Sequence, residues 1–281
     1  MILDAHEAYE QIMESLAGEI KRNDAQISLL AVAIGNNPAQ ASYIKSKSKI
    51  AASLGIGFEL KQFDESVSRD EVKGFILEKQ KESRICGIIF EKPYPEGLSS
   101  VVDELPAELD VDGAGSKNLG LIVKGRPLMV PATVQSALYI LDHYGIETRG
   151  KKAVVVGRSE SVGLPLALML LSRSRNATVT VCHTATPELG EITKGAEILF
   201  VAAGKPGLIR EEMVSEGAVV VDIGINFVEK ENKRVIVGDV DFEGVVTKAS
   251  AITPVPGGVG LLTPLFLMKN LLMAWEIRRQ A

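Results

Sequence analysis

The stretch Val154-Val-Val-Gly-Arg-Ser-Glu-Ser-Val-Gly-Leu-Pro165 joins a buried apolar strand to a glycine-bounded loop and then to an apolar helical run over 166–171. A strand–loop–helix order presents backbone N–H groups at a helix N-terminus, where phosphate is favoured. Further on comes Thr253-Pro-Val-Pro-Gly-Gly-Val-Gly260, a loop too rich in Pro and Gly to be ordinary punctuation. Together the two stretches point to a nucleotide-dependent enzyme rather than a generic α/β domain.

Outward from this segment, helical and β-rich patterns alternate. Towards the N-terminus they are a helix over 4–22, a strand at 27–34, a helical period over 42–54, a strand at 57–63, a charged helix over 68–82 and an apolar run at 85–90. The stretch 92–125 is richer in Pro, Gly, Asp and Asn and reads as loops. From Val130 a helix precedes strands at 153–156, 178–182, 198–202 and 219–223. Strand pieces at 235–237 and 251–252 follow, then a C-terminal helix from about Leu265. This alternation predicts an α/β fold with mostly parallel sheets covered by helices. A chain of 281 residues has room for two domains. The expected division is 1–132 plus 264–281, the last helix packing back on the first domain, and 133–263 as a Rossmann-type dinucleotide-binding domain.

Composition narrows the class. A hydrophobic share of 46% and a charged share of 24% are those of a globular protein. The net charge of −5 gives no footprint for nucleic acid or an anionic membrane. The N-terminus lacks a signal-peptide pattern, and no apolar run approaches the roughly 20 residues of a bilayer span. Cys86 and Cys182 have neither disulfide nor metal-ligand spacing, which fits a reducing, cytoplasmic setting. With three scattered histidines, no metal is expected.

In the nucleotide loop, Gly157-Arg-Ser-Glu-Ser-Val-Gly163 departs from G-x-G-x-x-G, carrying Ser159 at the middle position and one extra residue. An NAD-preferring fold places an acid at the end of the next strand for the ribose 2′-hydroxyl. Here that end reads Cys182-His183-Thr184. Arg158 can meet a 2′-phosphate and Thr184 can donate to it, a pattern that favours NADP, although Arg158 also reads as a solvated loop charge.

In the first domain, Tyr43 and Lys47 are four apart on one helix face with Ile50 and Leu54, while Lys45 and Lys49 point elsewhere. A lysine on that stripe either snorkels or, if buried, has a lowered pKa suited to proton transfer. Asp110-Val-Asp-Gly113 puts two carboxylates on one side of an extended backbone, as a plain turn or as a site for a donor-rich ligand edge.

With Tyr43-x-x-x-Lys47, Asp110-Val-Asp-Gly113, Gly157-Arg-Ser159, Val162-Gly-x-Pro165 and Pro254-Val-Pro-Gly-Gly-Val-Gly260 together, the chain resembles the bifunctional methylenetetrahydrofolate dehydrogenase / methenyltetrahydrofolate cyclohydrolase family over essentially its full length. Asp222-Ile-Gly-Ile-Asn226 and Val237-Gly-Asp-Val240 support the likeness. The resemblance implies an N-terminal folate-binding catalytic domain, NADP as cofactor, tetrahydrofolate derivatives as substrates bound in the cleft between domains, and a homodimer formed through the nucleotide domains. It places the protein in one-carbon metabolism and purine biosynthesis. It assigns Tyr43 to stacking on the pterin-bearing part of folate, Lys47 to the cyclohydrolase step and Asp112 to the pterin's donor edge. Gly157, Arg158, Ser159, Thr184 and Ile225 match cofactor-contacting positions, and Pro256, Gly257 and Gly258 lie in the loop that closes over folate and nicotinamide.

Three positions depart from the family pattern. Glu91-Lys92-Pro93 replaces the usual Gln-Leu-Pro at the substrate site, Gln40 replaces a serine, and Pro131-Ala132-Thr133-Val134 replaces Pro-Cys-Thr-Pro. If Glu91 faces Lys47, the opposite charge raises the lysine's pKa. The alternatives are a dehydrogenase without the hydrolase step, a shikimate-type dehydrogenase using Lys47 and Asp112 as an acid/base pair, and a paralogue that binds without turnover.

Overall fold

The structure is a computed structural model that describes residues 1–230 and 233–280. The chain divides into two compact units, Gln11–Ala132 with the chain from Pro264 onward, and Met1–Glu10 with Thr133–Thr263. Three helices carry the chain across this division: α1 (His6–Asn23), α6 (Ala132–His143) and α10 (Val259–Gln280).

The first unit alternates β1 (Ser28–Ile34), α2 (Pro38–Ser53), β2 (Gly57–Phe63), α3 (Arg69–Lys79) and β3 (Ile85–Phe90). The strands form a parallel sheet in the order β2-β1-β3. Central β1 is apolar after Ser28 and buried throughout that run, as a parallel strand covered on both faces must be. Edge strand β2 alternates instead and leaves Leu60 exposed. Helix α3 starts where Ser68 accepts the Glu71 N–H, and it buries Val72 and Ile76, four apart, on the sheet.

The stretch expected as loops contains two short helices, α4 (Ser99–Glu104) and α5 (Ser116–Val123). Side-chain hydrogen bonds tie α5 to α4 and to the turn between them: Asp103 of α4 accepts the Ser116 N–H at 2.8 Å, and such bonds leave no periodic signal. Asn118, fully buried, donates to Ala107 O at 2.9 Å and to Asp110 Oδ2 at 2.9 Å. The same carboxylate accepts the Gly115 N–H at 2.8 Å, directly before α5.

The second unit runs β4 (Lys152–Val156), α7 (Gly163–Leu171), β5 (Thr178–Cys182), α8 (Leu189–Lys194), β6 (Ile198–Val201), β7 (Val219–Asp222), β8 (Asn226–Lys230), β9 (Lys233–Val237), α9 (Phe242–Val245) and β10 (Ala251–Ile252). Five parallel strands are ordered β10-β7-β6-β4-β5, with β4 at the reversal of strand order. The expected piece at 235–237 is the second half of an antiparallel pair, β8–β9; polar, part-exposed β8 carried no apolar signature.

Residues 1–10 belong to this second unit, not to the first domain where the sequence placed them. Strand β10 is two residues long and leaves backbone groups at the sheet edge, which the N-terminal segment satisfies. Leu3 N–H donates to Ile252 O (2.8 Å), Ile252 N–H to Met1 O (3.0 Å) and Ala5 N–H to Gly257 O (2.8 Å). Among the described residues no helix is long and apolar enough to cross a membrane.

Helix α10 begins at Val259, earlier than expected, and takes Pro264 into its interior. Its later turns pack in the first unit. Buried Asn270 donates to Val111 O at 2.8 Å and Val130 O at 3.0 Å, and Arg278 donates to Ile85 O at 2.9 Å. Asn270→Ala would strip two carbonyls of a donor at roughly 1–3 kcal/mol each. Urea unfolding should show a loss of about 3 kcal/mol; a loss below about 1 kcal/mol would mean that water takes over the contacts.

Candidate active site

In the first unit, α2 brings Tyr43 and Lys47 onto one face with buried Ile50, while Lys45 and Lys49 are exposed. Glu91 stands directly after β3 and is 3% exposed. Its two carboxylate oxygens lie 2.8 Å each from Lys47 Nζ. Lys47 therefore does not snorkel: its ammonium group ends on a buried carboxylate. Burial pushes the Glu91 carboxyl up, Lys47 pulls it back down, and the charge of Asp112 pushes it up again. Burial also raises the Tyr43 phenol above its ordinary value.

Gln40 was visible in the sequence only as a departure from the family, and the structure gives it a role. It is 2% exposed, and its Nε2 donates to Glu91 O at 3.1 Å and to Pro93 O at 2.6 Å. It thus clamps the backbone that carries Glu91. The Lys92–Pro93 bond inside that clamp is cis.

The two carboxylates of Asp110-Val-Asp-Gly113 divide their work. Asp110 is buried, and it is occupied by Asn118 and by the N–H groups of Ala114 and Gly115. Asp112 is partly exposed and shares a small cavity with Lys92 and Tyr94. Both border that cavity, and Asp112 keeps the more exposed carboxylate of the pair.

In the second unit the loop after β4 is held by close approach. Gly157 has φ +124°, and a Cβ there would stand 2.2 Å from the Ala202 carbonyl oxygen. A Cβ on Gly163 would stand 2.2 Å from Gly157 O. Both positions require glycine. The helix start is less open than the sequence implied, because Ser159 Oγ accepts the N–H groups of Val162 (3.2 Å) and Gly163 (3.4 Å). Gly157 N–H donates to Cys182 O at 2.9 Å, which sets the loops after β4 and β5 side by side. Arg158 and Thr184 on those loops are both exposed. A glycine cradle with an arginine and no acid at the strand end fits a dinucleotide bearing a 2′-phosphate. Ile225 follows β7, and a Cβ on Gly260 would come within 2.8 Å of its Cδ1. Pro256, Gly257 and Gly258 also lie in this unit, between β10 and α10, and Val255–Pro256 is cis.

Asp222 ends β7, buried beneath these loops, and accepts the N–H groups of Gly224 (3.0 Å), Asp239 (3.0 Å) and Val240 (2.9 Å). Burial nevertheless pushes its carboxyl up to about 7.

A parallel sheet with a glycine cradle at its point of reversal, joined in one chain to a unit carrying a lysine–carboxylate pair, defines a dinucleotide-dependent enzyme. Residues 3–112 match the catalytic domain of tetrahydrofolate dehydrogenase/cyclohydrolase, and residues 131–279 match its NAD(P)-binding domain. The chain belongs to this family, which excludes the shikimate-type reading. It is 41% identical to the bifunctional protein FolD of Dictyoglomus turgidum over 98% of this chain and 97% of that one. The bifunctional 5,10-methylenetetrahydrofolate dehydrogenase/cyclohydrolase of Thermoplasma acidophilum superposes with a TM-score of 0.91 at 37% identity over the whole of both chains. The Trypanosoma brucei enzyme, complexed with NADP cofactor and inhibitor, gives 0.94 at 29% identity, covering 100% of this chain and 99% of that one.

The raised carboxyl of Asp222 has a signed consequence. Its folded value lies above the ordinary 3.8, so its contribution to stability is full below about pH 4 and is lost as pH rises through about 7. Relative to Asp222→Asn, the native chain should lose thermal stability between about pH 5 and pH 8. Parallel curves for the two proteins would show that Asp222 does not titrate in that window.

Proposed function

We propose that this chain oxidises 5,10-methylenetetrahydrofolate to 5,10-methenyltetrahydrofolate with NADP and hydrolyses the product to 10-formyltetrahydrofolate. The observation that carries the reading is the Lys47–Glu91 pair on the Tyr43 face of α2, in a chain that also holds the glycine cradle. NADP, when bound, supplies the hydride acceptor; Gly157, Arg158, Ser159, Thr184 and Ile225 hold it. The folate nitrogens delocalise the cation left behind, so the oxidation asks the protein chiefly for alignment. Tyr43 offers a ring for stacking, and Asp112 an acceptor for the pterin's N–H edge. Pro256, Gly257 and Gly258 provide the loop on the substrate.

Hydrolysis asks for more. Water adds to the methenyl carbon and loses a proton, a carbon–nitrogen bond breaks, and the freed nitrogen takes a proton. Lys47 is the group assigned to this proton traffic, with Glu91 as its immediate partner. The protein works in the cytoplasm as a homodimer. The buried thiols of Cys86 and Cys182 suit a reducing compartment, and exposed Leu164, Leu171 and Ile236 on the nucleotide unit supply apolar surface for self-association.

The test is a two-wavelength assay with 5,10-methylenetetrahydrofolate, following reduced cofactor and the methenyl product separately. Reduced cofactor without methenyl build-up, beyond the rate in an enzyme-free control, is the expected result with NADP. Lys47→Met should make methenyl accumulate in step with reduced cofactor; equal loss of both activities would remove Lys47 from its assigned step. Glu91→Gln keeps the shape of the site and removes the charge, so cyclohydrolase turnover near pH 7 should stay level or rise. A fall of about 100-fold there would mean that Glu91 itself carries a proton.

A further inference from the structure

Asp222-Ile-Gly-Ile-Asn226 and Val237-Gly-Asp-Val240 stood out in the sequence without a task. In the structure they meet at the C-terminal edge of the parallel sheet, beneath the loop that follows β6. Asp239 is fully buried. Its Oδ2 accepts the N–H groups of Ala203 (2.6 Å) and Gly204 (2.9 Å), and its Oδ1 accepts Lys205 N–H (2.9 Å) and Asn226 Nδ2 (2.8 Å). Four donors fill the acceptor capacity of one carboxylate. The three loop residues so held are themselves exposed. A buried charge that faces an exposed loop and gives all its acceptor sites to it fixes that loop's position.

The loop is one wall of the nucleotide crevice. Strands β4 and β6 are neighbours, chain connection reverses at β4, and nucleotides bind at the C-terminal ends of strands flanking such a reversal. Ala202, the first residue after β6, is the residue whose carbonyl a Cβ on Gly157 would strike. Asp239 is fixed in turn: its own N–H and that of Val240 donate to Asp222, whose backbone N–H donates to Thr253 Oγ1 at 2.7 Å. Thr253 immediately precedes the Pro254–Gly258 loop.

We propose that Asp239, itself fixed by Asn226 and Asp222, is a positioning residue for the dehydrogenase reaction, holding the Ala203–Lys205 wall directly at the height that nucleotide binding requires. This rests on the NADP-dependent reading above, and it separates the two activities. Cyclohydrolysis of methenyltetrahydrofolate consumes no nucleotide and depends on Lys47 in the other unit. Asp239→Asn turns an –NH₂ group towards N–H donors and should lower dehydrogenase kcat/KM for NADP by about 10–100-fold, chiefly through KM, because small displacements of bound groups cost that much. Cyclohydrolase turnover on supplied methenyl substrate should stay within about twofold in the same preparation.

Equal loss of both activities would reduce Asp239 to general structure and overturn the proposal, and so would no change in either. Should Asp239→Asn fail to fold, Asn226→Ala removes one donor from the cluster. It should raise the NADP KM by about threefold while the unfolding midpoint moves by no more than about 2 °C; an unchanged KM overturns the proposal. NADPH binding followed by its own fluorescence gives the same comparison without folate. An inactive native protein would thus sink the folate reading while still leaving Asp239 tested.

Discussion

The carbonyl of Ala202 occupies the space that a side chain at position 157 would need. The missing side chain lets the ends of β4 and β6 lie together at the reversal of strand order, where Ala202 N–H donates to Val156 O at 2.8 Å. The loop of residues 157–163 then folds back on itself, with Gly163 against Gly157 O and Ser159 capping the start of α7. A methyl group at either glycine would push the loop off the sheet edge. The whole nucleotide-binding edge depends on two positions having no side chain.

The catalytic unit rests on the opposite principle, a side chain placed where it is costly. Burying Glu91 beside the charge of Asp112 disfavours its ionised form, and Lys47 offsets that cost through both carboxylate oxygens. The pair also needs its backbone fixed, which Gln40 does from one turn before Tyr43. Two of the three positions at which the sequence left the family pattern are thus in contact. Reading either substitution alone would miss that they form one local solution.

Local chemistry made some elements legible and non-local chemistry hid others. The strands at 85–90 and 178–182 matched their expected bounds because runs rich in β-branched and apolar residues mark them, and that at 57–63 because apolar and polar residues alternate along it. The Tyr43–Lys47 face followed from helical spacing alone. Helix α5 was invisible because Asn118 and Asp110, not periodicity, hold it, and α4, six residues long, is too short to show a period. Strand β8 was missed because its residues are half exposed and it forms only by pairing with β9. The start of α10 was masked by a Pro-Gly-rich stretch that reads as loop, and the placement of residues 1–10 was decided by an edge strand some 250 positions away. At the site, Glu91 was legible only as a condition, Gln40 only as a departure and Asp239 only as part of a motif, since their bonding partners lie well away in sequence.

The return of α10 to the first unit bears on how the chain is made. A ribosome delivers residues 11–132 early, with strands, helices and Asp110 network already in hand. The carbonyls of Val111, Val130 and Ile85 still wait for Asn270 and Arg278, which lie 140 to 193 residues further along the chain. The second unit waits as well, holding its first residues until β10 appears to receive them. The second unit can thus close once the residue 251–257 stretch has emerged, ahead of the first, which reaches its final hydrogen bonding only with Asn270 and Arg278.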